Sequence, residues 1–225
     1  MPRYNGSVSI RGKLASELSS ADIWDLINQR VPEDAFLEFK KEVLNPASAR
    51  LDDEKVDLLA DFVALANASG GHLIVGIKTL GDQAFEPAFM DLEKSKRIAD
   101  SIRDSAIQYI RPGIVQLEVL PRPMNEDRSE WVVIAAIPDS EVKPHMVAYR
   151  DKPPRFTIRV GNRNRFMTYE EIKARFIGPQ EDLMVRLSTE VESIKSLLGA
   201  LGQAHSVEFR AIKSMVSELN QKLKG

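Results

Sequence analysis

An α+β fold, with a mixed β-sheet flanked by helices and a helical tail at the C-terminal end, follows from three features of the sequence. Helix-period and strand-period apolar patterns are interleaved up to residue 179. The short run His72-Leu-Ile-Val-Gly-Ile77 has the length and apolarity of a central strand, and it follows a strong amphipathic pattern with only Gly70-Gly71 at the junction. From Glu181 to Lys224 there is no proline, and Leu183, Leu187, Val191, Ile194, Leu198 and Leu201 recur at near-heptad spacing. These features divide the chain into a domain over 1–179 and a tail over 180–225 that serves as a packing hairpin or a means of self-association.

Taken in order, residues around Ser7–Arg11 suit a short edge strand, and Ile23, Leu26 and Ile27 predict a helix over 20–29 capped by Ser19 or Ser20 and stopped by Pro32. Ala35–Lys41 alternates as a strand, with Glu38 sharing a side with Phe36. After a loop at Asn45, Pro46 and Ser48, residues 51–68 form a helix. Val56, Leu59, Ala60 and Val63 make its buried stripe, and Asp52, Asp53 and Glu54 occupy its first turn, where the helix dipole favours negative charge. Asn67 caps that helix or holds the Gly70-Gly71 reversal, and the apolar run His72–Ile77, containing Gly76, follows as a strand.

Residues 79–90 read as a loop, and 91–110 as a helix capped by Asp91. Strands are expected at 114–120 and 131–137, with shorter extended pieces at 145–150 and 156–160. On the last of these, period two predicts that Phe156, Ile158 and Val160 face the core while Thr157 and Arg159 face outward. Gly161-Asn162 is a turn, and Thr168 with Glu171 makes a capping box for a helix to Phe176.

The chain has 225 residues, 43% of them apolar and 28% charged, as in globular proteins that bury roughly 70% of their unfolded surface. It contains no cysteine, which excludes thiolate nucleophiles, disulfides and thiolate metal sites, and three histidines are few for a multi-histidine centre. The opening MPRYNGSVSI lacks the apolar run of a signal peptide and no window approaches 18 apolar residues, so the expectation is a cytoplasmic protein without membrane contact.

Net charge is −2, but its distribution is uneven: residues 21–61 hold five basic and eleven acidic residues, whereas 143–175 hold nine basic and three acidic. The two regions can attract each other within the fold or between subunits, or the basic one can face a polyanion. Arg150, Lys152, Arg155, Arg159, Arg163 and Arg165 supply six cations within sixteen residues, and paired arginine donors match phosphate oxygens.

Three separated pieces resemble the Schlafen-type AlbA_2 domain: Glu33-Asp-Ala-Phe-Leu-Glu38-Phe39-Lys40, then Ala60 through Asn67, Gly70 and Gly71 to Gly76, then Phe156-Thr-Ile-Arg159-Val160-Gly161 leading into a capped helix. The resemblance spans about residues 20–177 and implies a DNA- or other nucleic-acid-binding module. It also implies, for one subset of the family, cleavage of structured RNA by two glutamates and an aspartate that recruit a divalent metal. Onto this chain the glutamates carry over as Glu33 and Glu38, and the third acid's place is filled by Lys78, a cation where the metal needs an anion.

Apart from the resemblance, Glu38 is either paired with Lys40 or with an arginine of the basic region, or it is a magnesium or manganese ligand with Glu33; Asp57, Asp61 and Asp82 are candidate third carboxylates. Lys78 is expected to pair with Glu33 and Glu38 in the metal's place. His145 is an architectural residue or a general base. The leading expectation is a nucleic-acid-binding protein, needing no cofactor, whose partners are DNA or RNA and further copies of itself. A magnesium- or manganese-dependent endoribonuclease and a non-catalytic assembly or adaptor module are the alternatives.

Overall fold

The structure, a computed structural model, describes residues 10–44, 48, 50–176, 187–196 and 214. The chain divides into two compact units, Met1–Arg175 and Phe176–Gly225. The candidate strand at 7–11 lies mainly outside the described residues, and Ile10 and Arg11 are not in a strand. Gly178-Pro179 and three of the tail's six near-heptad positions, Leu183, Leu198 and Leu201, also lie outside them.

In the first unit, α1 (Ser20–Asn28) begins at a capping box in which Asp22 N–H donates to Ser19 Oγ and Ser19 N–H donates to the Asp22 carboxylate. Then come β1 (Leu37–Lys40), α2 (Leu51–Asn67) and β2 (Gly71–Val75). Residues 79–90, expected as a loop, instead contain most of a hairpin formed by β3 (Ile77–Leu80) and β4 (Gln83–Pro87). Its turn is Gly81-Asp82, a residue pair suited to a tight hairpin, and the strands beside it are short, with Ile77 and Ala84 buried and Lys78, Leu80, Gln83 and Pro87 exposed. α3 (Leu92–Tyr109) starts at the Asp91 cap, which accepts from Lys94 N–H at 2.7 Å.

The remaining strands are β5 (Ile110–Arg111), β6 (Glu118–Pro123), β7 (Trp131–Ile137), β8 (Met146–Val147), β9 (Thr157–Val160) and β10 (Arg163–Phe166). A helix over 169–176 follows, held by the expected capping box between Thr168 and Glu171.

The main sheet has the order β1-β2-β7-β6, with β1 and β2 parallel and the other neighbours antiparallel. Both faces are covered, so β7 is buried along its whole length. Leu73, Val75, Val133 and Ala135 point to one face and pack with Leu59, Phe62, Val63, Ile98 and Ile102 of α2 and α3. Leu37, Phe39, Ile74, Val132 and Ile134 point to the other, where Ile23, Leu26 and Ile27 of α1 cover them. With Leu37 and Phe39 committed to the α1 face, the period-two pleat sends Glu38 and Lys40 to the α2 face, at the outer edge of the sheet.

The helix-to-strand reversal is set by two glycines. Gly70 has φ of +72° and its N–H bonds to Leu65 O at 2.9 Å, closing the end of α2. A Cβ on Gly71 would lie 2.4 Å from Phe36 O, where the chain enters β1, so only glycine allows β1 to approach β2 at that level. Asn67 does not cap its own helix with its side chain. Its Nδ2 donates to His145 O and Thr157 O, and its Oδ1 accepts from His145 N–H, all within 2.9 Å. The amide thereby fastens the segment of β8 and β9 onto α2. In the second unit, residues 187–196 are helical.

Candidate functional site: an acidic cluster and a basic hairpin

The edge position of β1 leaves room beside Glu38 for β9, which packs along α2. Arg159 extends from β9 into that space. Its Nη1 lies 2.7 Å from Glu38 Oε2, its Nε donates to Asp34 O at 3.0 Å, and its Nη2 donates to Leu37 O at 3.2 Å. The Arg159 side chain is only 2% exposed and that of Glu38 10%. Lys40 bridges the second Glu38 oxygen, at 2.6 Å, to Asp61 Oδ2 on α2, at 3.0 Å. Asn164 of β10 completes the cluster by donating to Asp61 Oδ1 at 2.5 Å.

The expected faces of β9 are therefore reversed. Thr157 and Arg159 are buried, Thr157 donating from Oγ1 to Ala60 O at 2.7 Å, while Val160 is exposed. Period two is obeyed, but a lone arginine on a strand was read as a solvent-facing residue when a buried carboxylate awaited it. Arg159, expected to contact nucleic acid, has its guanidinium engaged within the protein.

Glu33 adjoins the cluster and is half-buried, with Oε1 accepting from Phe39 N–H at 2.9 Å. Burial raises its pKa above the ordinary glutamate value, and the Glu38 charge adds to the effect. Burial likewise pushes Asp61 up to about 6, against the pull of Lys40. Burial opposes the Lys40 ammonium, yet the Asp61 and Glu38 carboxylates outweigh it and hold the lysine above its ordinary value. Three acids share two cations, so Lys40 stays charged and Asp61 gives up its proton late.

These residues do not fit a divalent metal. Both oxygens of Glu38 face protein cations and both oxygens of Asp61 have protein donors, which leaves no pair of converging lone pairs for an ion that takes carboxylate oxygens. Among the described residues no three His, Cys, Asp or Glu side chains form a group that could hold one. Lys78 is not the neutralising cation it was expected to be. It lies on the hairpin, 47% exposed, and pairs with Glu86 across the strands; Lys40 and Arg159 fill that role.

The other basic candidates separate into two groups. Arg150, Lys152 and Arg155 pair with Asp52, Asp53 and Asp57 of α2, so the acidic and basic regions meet within one chain. Arg163 and Arg165 lie on β10, which turns back from β9 at Gly161-Asn162, where Gly161 has φ of +60°. Arg165 is held in a two-bond fork by Glu171, with both contacts at 2.7 Å. Arg163 is exposed, and its side chain has no ion pair or hydrogen bond among the described residues. Phe166 and Tyr169, close by in sequence, are 64% and 72% exposed.

His145 is fully buried. Asn67 binds its backbone, and its Nδ1 lies 2.7 Å from Pro112 O, a structural setting in which burial lowers the imidazole pKa. Sequence reasoning missed Asn164, whose only signal is its alternation with Arg163 and Arg165. It had Lys40 and Asp61 as candidates but could not place them together.

The sequence model of one family, described as Schlafen, AlbA_2, matches residues 33–168. No curated protein matches the sequence. Among solved structures, the DIP2311 protein of Corynebacterium diphtheriae is similar at a TM-score of 0.40 and 18% identity, over 63% of this chain and 24% of that one. The chain thus spans about a quarter of that protein's length. Among the described residues no helix is long and apolar enough to cross a membrane.

Two outcomes test the cluster. Arg159→Met, which strands a buried carboxylate, should cost about 3–5 kcal/mol in denaturant unfolding, against less than about 0.5 kcal/mol for Arg163→Met; equal losses would refute the assignment of Arg159 to the interior. For Asp61, the folded pKa of about 6 stands above the ordinary aspartate value of 3.8, so its contribution is complete below about pH 4 and is lost as pH rises through 6. Thermal melts should show the parent losing stability relative to Asp61→Asn between those pH values, with no further change above. A pH-independent difference would contradict the burial of this acid.

Proposed function

The chain belongs to the Schlafen AlbA_2 family, and we propose that it binds nucleic acid through the outward side of the β9–β10 hairpin, without metal chemistry, and associates with further copies through its C-terminal helical segment. The observation that carries the binding is the exposed guanidinium of Arg163, without an ion pair among the described residues, beside Arg165 next to an exposed turn. Guanidinium groups offer paired donors to phosphate oxygens, and an arginine without an internal acid need not give up a partner to use them. The exposed ring of Tyr169, just beyond the hairpin, favours a strand with unpaired bases, which stack on aromatic faces.

The acidic cluster supports a non-catalytic reading. A nuclease of the two-glutamate type would need Glu38 to release Arg159 and Lys40 before it could take a metal. Binding by phosphate contact makes no such demand.

Fluorescence anisotropy with a single-stranded RNA and a DNA duplex, with and without manganese, tests this directly. We expect binding at ~50 mM salt that weakens steeply by 200 mM, is indifferent to manganese and leaves the strand intact. Arg163→Ala should weaken it about three- to tenfold for all sequences and reduce the salt slope by ~0.7–0.9. No binding at low salt rejects the reading, and cleavage abolished by Glu38→Gln would put the metal-dependent endoribonuclease in its place.

Self-association is supported by the helix over 187–196, on which Leu187, Val191 and Ile194 are spaced by four and three residues and are each about half exposed. Leu183, Leu198 and Leu201, which continue the same spacing, lie outside the described residues. The equal numbers of acidic and basic residues from 181 to 224 remove net repulsion between identical tails. Light scattering at tens of micromolar should give a dimer or larger closed assembly, and deletion of residues 180–225 a monomer. A monomeric mass for the full chain would reject the assembly.

A further inference from the structure

Arg150, Lys152 and Arg155 are half of the basic stretch, yet each faces an acid from the first two turns of α2. Arg150 Nη1 lies 3.0 Å from Asp52 Oδ2, Lys152 pairs with Asp53, and Arg155 Nη1 lies 2.9 Å from Asp57 Oδ1. The pairs differ in kind from Glu38–Arg159, because all six side chains are between 32% and 64% exposed. Water reaches them, so breaking them does not strand a buried charge.

The pairs are also not what fixes this segment. Tyr149 is buried and donates to Asp52 Oδ1 at 2.6 Å, Lys152 N–H bonds to Tyr149 O at 2.9 Å, and Val147 and Arg155 exchange two backbone hydrogen bonds at 2.9 and 3.0 Å. The backbone keeps its course while the three cationic ends are free to change partner. Their present acceptors are carboxylate oxygens, which take the same donors as phosphate oxygens.

We propose that the acidic face of α2 is a built-in competitor for nucleic acid: Asp52, Asp53 and Asp57 occupy the phosphate positions on Arg150, Lys152 and Arg155, and a polyanion binds this surface by displacing them. The inference rests on the nucleic-acid reading above and adds a second contact surface, with a threshold, to the hairpin. A nucleic acid repays the exchange because each neutralised phosphate also releases counterions, which a fixed carboxylate on the same chain does not. A short or weakly charged ligand fails to compete, so the ladder favours long polyanions over mononucleotides.

The test compares Asp52→Asn/Asp53→Asn/Asp57→Asn with Glu93→Gln/Glu126→Gln/Glu141→Gln, which removes equal charge from exposed acids that have no ion pair. The Asn at 52 keeps an oxygen for the Tyr149 hydroxyl. At ~50 mM salt the ladder variant should bind single-stranded RNA at least about threefold more tightly than the control, with a salt slope steeper by roughly 2 to 3. Adding Arg150→Ala, Lys152→Ala and Arg155→Ala should remove that gain. If the triple variant fails to fold, Asp57→Asn alone, which frees only Arg155, should steepen the slope by ~0.7–0.9. Parent and ladder variant binding alike, or a gain matched by the control, overturns the competitor while leaving the hairpin reading intact. Absence of binding by every variant overturns both.

Discussion

The Glu38–Arg159 ion pair is the interaction on which the arrangement of the first unit depends. It joins the edge strand of the main sheet to a strand that follows it by more than a hundred residues, and it does so where both side chains are largely withdrawn from water. Such a pair contributes little net stability when set against an apolar replacement, but it penalises heavily any arrangement that separates its members. Its effect is to select one register: only with Thr157 and Arg159 inward does the guanidinium meet Glu38 and the carbonyls of Asp34 and Leu37 together. Val160, Arg163 and Arg165 are then left for the outside.

A second constraint acts on the same segment from the other end. Asn67 is completely buried, and its amide is satisfied by three backbone groups of 145–157. A buried amide without those partners would bear the desolvation cost of each. The segment is thus held by a charge at one end and an amide at the other, and both anchors belong to stretches that the Gly70-Gly71 reversal brings together. The surface cations between them pair with α2 at positions that water reaches, and these pairs hold the segment less tightly than either anchor.

How much of this was legible depended on whether the signal was local. The helices could be read because 3.6-residue periodicity and caps such as Asp91 and the Thr168–Glu171 box lie within a few residues of one another. The runs at 71–75 and 131–137 were evident from their unbroken apolarity. The β3–β4 hairpin was hidden because its strands are only four and five residues long and each buries a single residue, Ile77 and Ala84, too few to set an apolar alternation, although Gly81-Asp82 was there to mark the turn. The inversion of β9 was not legible, since apolarity argued for burying Ile158 and Val160 and the opposing demand came from Glu38, remote in sequence. The same distance concealed the matching of Asp52, Asp53 and Asp57 with their cations: net charge could be counted, while the register that pairs individual charges could not.

The cluster also shows how neighbouring carboxylates can be neutralised from within the protein. Glu33, Glu38 and Asp61 remain close, and their mutual repulsion must be relieved either by a bound cation or by the protein. Here the protein supplies Lys40 and Arg159, and a third acid keeps its proton to a higher pH. A lysine at position 78 cannot contribute, because β3 has turned away into its own hairpin and Glu86 takes its charge. Neutralisation from within makes the cluster independent of solution ions, and it fixes Arg159 so firmly that this residue serves the interior. On the proposed function, a polyanion meets instead the cations that the interior does not claim, namely Arg163 beside the hairpin turn, without an ion-pair partner among the described residues, and the exposed cations Arg150, Lys152 and Arg155 that face α2.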